Sequence, residues 1–187
     1  MEVEPIKNEG KIEEMKNFLK QKGSGYGLLF VMGINTALRI GDLLSLSIGD
    51  VTDNDGKVLE AISLKEQKTG KLKRLPVNDA LKNALSEHLA ESPNSMRSSP
   101  LFISRKGGVL SRTHAWRILK AAGEAVGLQN IGTHSLRKTF GYHVYRNSGE
   151  NIGLVQKLLN HSTVKNTLQY IGICREEMDS TYLKLNL

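Results

Sequence analysis

Apolar residues recur at helical spacing along most of this chain, and the pattern changes clearly in only one place, between residues 57 and 77. That limits the fold to a body of helices with one pair of strands set into it. Over residues 11–21, Ile12, Met15 and Leu19 share a helix face, and Gly23-Ser24-Gly25 breaks the run. Residues 28–34 are almost wholly apolar and read as a buried helix, with a polar break at Asn35-Thr36. Arg39 opens a further helical stretch whose apolar face is Leu43, Leu44 and Leu46, and Gly49-Asp50 is expected to end it. Residues 57–67 and 72–77 read as strands joined by a tight turn at Thr69-Gly70. Leu72 is out of phase with Leu75 and Val77, which predicts a bulge or an early end to pairing. Asn78 is expected to cap a helix through Leu89, and residues 101–103 to form a short strand. Ser111 caps the next helix, through Val126, with Trp116, Leu119 and Ala122 facing the core. Thr133 caps another, running from His134 to about Asn147. A further helix starts at Gly149-Glu150-Asn151 and runs to Leu159, and a last short one carries Tyr170.

A chain of 187 residues suits one domain with a real core rather than two. No apolar run approaches the roughly 20 residues a membrane span needs. The acidic start, Met1-Glu2-Val3-Glu4-Pro5, is not a secretory signal. One cysteine, Cys174, cannot form an internal disulfide, so a reducing cytoplasm is the expected compartment. Net charge is +7, which favours a polyanionic partner, because each Lys or Arg on a phosphate releases a counterion. Neither a phosphate-binding Gly-rich loop nor a Gly-x-Ser-x-Gly elbow is present. The five histidines and one cysteine lack zinc-finger spacing, and Asp50, Asp53 and Asp55 lack the downstream ligands of a cation loop. No cofactor or metal is therefore expected.

The groups able to handle a phosphoryl centre cluster late in the chain. In Thr133-His134-Ser135-Leu136-Arg137, His134 and Arg137 are three residues apart and share a helix face. Arginine presents a planar fork matching two phosphate oxygens, and histidine exchanges a proton near neutral pH. A bare His-x-x-Arg is weak evidence, since it is more often a surface pair. His161 and Tyr170 are nine residues apart, which on one continuous helix turns them about half a turn away from each other. Asn160 is able to end one helix and Ser162 or Thr163 to cap the next, and such a break lets the two rings converge. Upstream, Thr36-Ala37-Leu38-Arg39-Ile40 supplies a second arginine, with Asp42 one turn on to hold its guanidinium. Gln67-Lys68-Thr69-Gly70-Lys71 supplies a lysine at the hairpin.

In that order and spacing these motifs resemble the tyrosine recombinase (phage integrase) family, over about residues 26–170. The resemblance implies an α+β catalytic domain, mainly α-helical with a small antiparallel β-sheet. It implies Arg39, Lys68, His134, Arg137, His161 and Tyr170 as the site, with Tyr170 the nucleophile and Lys71 the runner-up to Lys68. The implied activity is site-specific recombination of double-stranded DNA through a 3′-phosphotyrosine intermediate. A type IB topoisomerase-like relaxase and a non-cutting DNA-binding regulator are the alternatives. Two positions depart from the family's usual glycine, Ala37 and Asn160. Most members also carry an N-terminal helical DNA clamp, for which there is no room before Tyr26. A fragment, a naturally short form, or a partner that supplies the clamp is therefore expected. The tail, about residues 171–187, is expected to mediate self-association on DNA.

Overall fold

The computed structural model describes residues 3–91, 95–104, 107–173 and Leu183. Cys174, Tyr182 and the rest of the tail after residue 173, except Leu183, lie outside the described residues. The first helix, α1 (Glu9–Lys22), is capped by Asn8, whose side chain accepts from the Lys11 N–H. It buries Met15 and Leu19 against α2 (Ser24–Thr36). Most of α2 is buried, as its continuous apolar run requires. A short helix α3 (Ile40–Leu44) follows. The chain then starts again as α4 (Ile48–Val51), where a terminus was expected at Gly49-Asp50. Asp50 reverses that expectation: its Oδ2 accepts from both the backbone N–H and the hydroxyl of Ser47, closing a cap.

Strands β1 (Ala61–Lys65) and β2 (Leu72–Pro76) pair antiparallel, in unbroken register from Ala61 opposite Pro76 to Lys65 opposite Leu72. Of the two outcomes expected at Leu72, the bulge is absent and the regular ladder ends there, opposite Lys65. Leu72 is out of phase because it points to solvent, 85% exposed, while Lys73 takes the inward position beside Leu75 and opposite Leu64. The expected tight turn is a wider loop. The Glu66 N–H still donates to Lys71 C=O (3.0 Å), and Gly70, with φ 67°, donates to Glu66 C=O (2.8 Å). Residues 101–103 form only an isolated bridge, Ile103 to Val109, with Leu101 and Phe102 packed into the core.

Helix α5 (Asp79–Ala90) is capped by Asn78 and packs on α2. Helix α6 (Arg112–Ala125) is capped by Ser111 and buries Leu119 and Ala122. Trp116 is 42% exposed rather than in the core, with Lys120 Nζ over its ring. Helix α7 (Thr133–Asn147) begins one residue earlier than expected. Gly132 is its N-cap, and its N–H donates to Ser135 Oγ, so Thr133 is the first helical residue rather than the cap. Helices α8 (Ile152–Leu159) and α9 (Val164–Tyr170) complete the described chain. Among the described residues, no helix is long and apolar enough to cross a membrane.

The core falls into two parts. The larger joins α1, α2, α5, α6 and the sheet. The smaller consists of Ala37, Val155, Leu159 and Ile171, with Phe140, Tyr142, Tyr145 and Tyr170 against it. It seats α8 and α9 on α7, and Gly141 is the closest point of that contact. A Cβ built there would lie 2.7 Å from Ile171 Cγ2 and 3.0 Å from Leu159 Cδ1. Gly141→Ala is therefore expected to destabilise the fold by about 1–3 kcal/mol through overpacking. The control Gly153→Ala, in a roomier place on α8, should change stability by under about 1 kcal/mol. Urea titrations of both variants check this, and equal midpoints would contradict the packing argument.

Candidate active site

Two left-handed turns build the floor of the site. Ala37, just past the end of α2, has φ 56°, and Asn160, just past the end of α8, has φ 52°. These are the two positions where the family's glycine is replaced, and the backbone geometry explains both. Asparagine tolerates this conformation. For alanine it costs about 1–2 kcal/mol, but the Ala37 methyl is fully buried in the smaller core, which offsets about 0.8 kcal/mol.

Arg137 rises from α7 between these turns, 4% exposed. Its Nη1 donates to the Ala37 carbonyl and its Nη2 to the Leu159 carbonyl. Its charge also acts on the nearby Tyr170 hydroxyl. One guanidinium thus joins the ends of α2 and α8 beside the tyrosine on α9.

The helix break expected between His161 and Tyr170 is present. Asn160 N–H donates to Lys157 C=O (3.1 Å) and His161 N–H to Gln156 C=O (3.0 Å), the paired bonds of a Schellman terminus. Gln156 Nε2 returns to the His161 carbonyl at 3.1 Å. Thr163 then caps α9 by accepting from Asn166 N–H. With the chain folded back, the two rings meet edge to face, centroids 4.8 Å apart. Thr167 fixes the histidine. Its hydroxyl donates to Thr163 C=O (3.0 Å), so it can only accept from His161 Nδ1–H (3.3 Å), leaving Nε2 free of that proton.

A cleft lined by Arg39, Lys68, His134, Arg137, Asn160, His161, Ser162, Asn166 and Tyr170 brings all six expected residues together. Lys68 reaches it from the hairpin loop, whereas Lys71 Nζ lies 3.4 Å from Asn160 Oδ1. Asp42 does not hold Arg39. It is 2% exposed, and its Oδ1 accepts from the Gln67 N–H at 2.8 Å. The arginine's partner is Glu66, with Nη1 to Oε1 at 3.3 Å. Sequence reasoning passed over Glu66, Thr167 and the inward Lys73. A signal for the first was present: Glu66 is the only acidic residue among Lys65, Lys68, Lys71, Lys73 and Arg74.

The other described tyrosines stand elsewhere. The Tyr26 hydroxyl is 3.1 Å from His114 Nε2, and Tyr142 and Tyr145 pack on the smaller core. A separate cavity between α2 and α5 holds Ser24, His88 and Glu91. Both ring nitrogens of His88 are occupied there, by Ser24 Oγ (2.8 Å) and the Leu101 carbonyl (3.1 Å), so this trio ties elements together.

The field in the cleft is strongly positive. Burial, then the charges of Arg137, Lys138, Arg39 and Lys68, holds His134 below the usual histidine range. Burial, then Arg137 and Arg39, does the same to His161. Burial pushes the Tyr170 phenol up, against the pull of Arg137 and Arg39. Lys138 Nζ also sits 5.4 Å from the centre of the Tyr170 ring. Without a bound anion, the cleft therefore presents two neutral imidazoles and a protonated phenol at neutral pH. NMR titration of the imidazole resonances should place His134 and His161 below about 6.5, with protonation appearing only on acidification. A midpoint above that value for either ring would mean that the surrounding charges are not where the structure puts them.

The family model described as "Phage integrase family" matches residues 9–176. "Probable integrase/recombinase YoeC" of Bacillus subtilis strain 168 is 38% identical over 180 residues, covering 96% of this chain and 95% of that protein. "Tyrosine recombinase XerC" of Roseiflexus castenholzii is 31% identical over 147 residues, covering 75% of this chain but only 45% of its own length. Among solved structures, XerA recombinase superposes with a TM-score of 0.76 at 21% identity, over 99% of this chain and 65% of that one. XerH bound to a palindromic difH substrate gives 0.71 at 21% identity, over 97% and 53%. The fold expected from sequence, mainly helical with a small antiparallel sheet, is thus that of tyrosine recombinase catalytic domains. With the model spanning most of its length and YoeC matching it nearly end to end, this chain belongs to the phage integrase family.

Proposed function

We propose that this chain is a tyrosine-type site-specific recombinase, acting on double-stranded DNA as a single catalytic domain. The observation that carries the reading is the convergence of Tyr170, Arg137, Arg39, Lys68, His134 and His161 on one cleft. That set meets the needs of phosphoryl transfer to a phenol. The Tyr170 oxygen attacks a backbone phosphorus, forming the phosphotyrosyl bond on the 3′ side and breaking the bond to the 5′ oxygen. A phenol with pKa about 10 is a poor nucleophile, and burial weakens it further. His134, neutral in this field, accepts its proton. Arg39 and Arg137 donate to the non-bridging oxygens, His161 joins them once the bound phosphate lets its Nε2 take up a proton, and Lys68 gives a proton to the departing 5′ oxygen. Preorganised donors of this kind are each worth roughly 3–4 kcal/mol. The ester stores the bond energy, so the 5′ hydroxyl of a second strand reverses the step without nucleotide hydrolysis. A regulator that only binds DNA has no use for a tyrosine packed on one histidine in a cleft that holds a second.

Self-association through residues 171–187 and a partner that supplies a DNA clamp belong to the same reading. The chain spans about 45% of the length of the XerC relative. The +7 charge supports binding dominated by phosphate contacts, with log affinity falling by about 0.9 per contact per log unit of salt.

The deciding experiment traps the chain on a nicked suicide duplex. Wild type should form a covalent adduct in excess EDTA and without ATP. Tyr170→Phe should form none, while its non-covalent affinity stays within about twofold, because the ring and its contacts remain. Mass spectrometry should find the DNA on Tyr170. An adduct on Tyr182, or strict magnesium dependence of the chemical step, would sink this assignment. Arg137→Lys should lose at least about 100-fold in cleavage and also melt lower, since an ammonium cannot bridge the Ala37 and Leu159 carbonyls in the same plane.

A further inference from the structure

One carboxylate sits among the cations at the edge of the cleft. Glu66 is 5% exposed, and both of its oxygens are engaged. Oε1 accepts from Arg39 Nη1 (3.3 Å) and Oε2 from the Thr69 hydroxyl (2.7 Å). Thr69 Oγ1 in turn lies 3.3 Å from the Lys71 N–H. The backbone of Glu66 closes the same loop, through Lys71 C=O on one side and Gly70 N–H on the other. Lys68 stands between the two residues so joined. Burial disfavours the charged acid, but the Thr69 bond and the charges of Arg39, Lys73 and Arg137 outweigh it and hold Glu66 below the usual carboxylate range. Since Nη1 is given to Glu66, Arg39 keeps Nη2 and Nε for a phosphate.

We propose that Glu66 is a positioning residue for strand cleavage: its carboxylate aims the Arg39 guanidinium into the cleft and, through Thr69, holds the loop that presents Lys68. This rests on the recombinase reading above. A carboxylate that only balanced charge would not need both oxygens engaged or a partner on each side of the lysine. The arrangement links two parts of the site that lie 29 residues apart in sequence, Arg39 and Lys68.

The test compares wild type, Glu66→Gln and Thr69→Val in single-turnover cleavage of the suicide duplex, with DNA affinity and melting temperature measured for each. If wild type forms no adduct, the recombinase reading itself fails. Given a wild-type adduct, Glu66→Gln should cleave at least tenfold slower, with affinity within about twofold and melting within a few degrees. Thr69→Val should show a smaller loss. A substrate with sulfur in place of the bridging 5′ oxygen needs no proton on its leaving group. On that substrate the Thr69→Val deficit should close, while Glu66→Gln should stay slow because Arg39 is still misaimed. Wild-type rates for Glu66→Gln, or a loss fully explained by weaker binding or a smaller folded fraction, would overturn the proposal. A Thr69→Val deficit that persists on the sulfur substrate would overturn its Lys68 half.

Discussion

A buried guanidinium with two backbone carbonyls is the contact on which the site's geometry depends. Arg137 carries a charge into a place where water cannot solvate it, and the cost of that is several kcal/mol. The carbonyls of Ala37 and Leu159 repay part of it, and both are available because the chain turns left-handed at Ala37 and Asn160. Two unfavourable local choices, a positive-φ alanine and a desolvated arginine, are thus mutually consistent. Each makes sense only once the other is present. The result is a frame in which α2, α7, α8 and α9 meet around one side chain.

Around this frame the electrostatics are arranged for an incoming anion. Arg39, Arg137, Lys68 and Lys73 repel one another, and burial with Arg137 already lowers the affinity of Lys73 for its proton. Glu66 and Asp42 relieve only part of that repulsion. Asp42 Oδ2 has no hydrogen-bond partner among the described residues, although it is buried. Such a cluster destabilises the free protein and rewards a phosphate diester that neutralises it. Burial first, and then the same field, disfavours the charged forms of His134 and His161.

The helical body, the hairpin and the site residues were legible because their signals are periodic or tied to a motif. The α8–α9 break was readable from Asn160 and Thr163, since a nine-residue separation on one helix makes no chemical sense. What escaped was decided by tertiary placement. The phase of Leu72 suggested a defect in the ladder, whereas the answer was that Lys73 points inward to the Thr36 carbonyl (3.5 Å). Asp42 was the nearest carboxylate to Arg39 along the chain, yet Glu66, brought in by the sheet, holds it. Trp116 lies at helical spacing with Leu119, but its ring stays partly in solvent beneath Lys120. No local pattern encodes which of two carboxylates a fold will bring to an arginine.

The short segment from Asn151 to Ile171 has a further consequence. It supplies both His161 and Tyr170, yet it is seated mainly by Val155, Leu159 and Ile171 on α7, a far smaller apolar contact than the main core. Elements with so little buried surface open at a lower free energy than the rest of a protein. Here Tyr170 and its neighbouring histidine would move as a pair. Whatever presses on α8 and α9 therefore bears on His161 and Tyr170 together, because one small apolar contact seats them both.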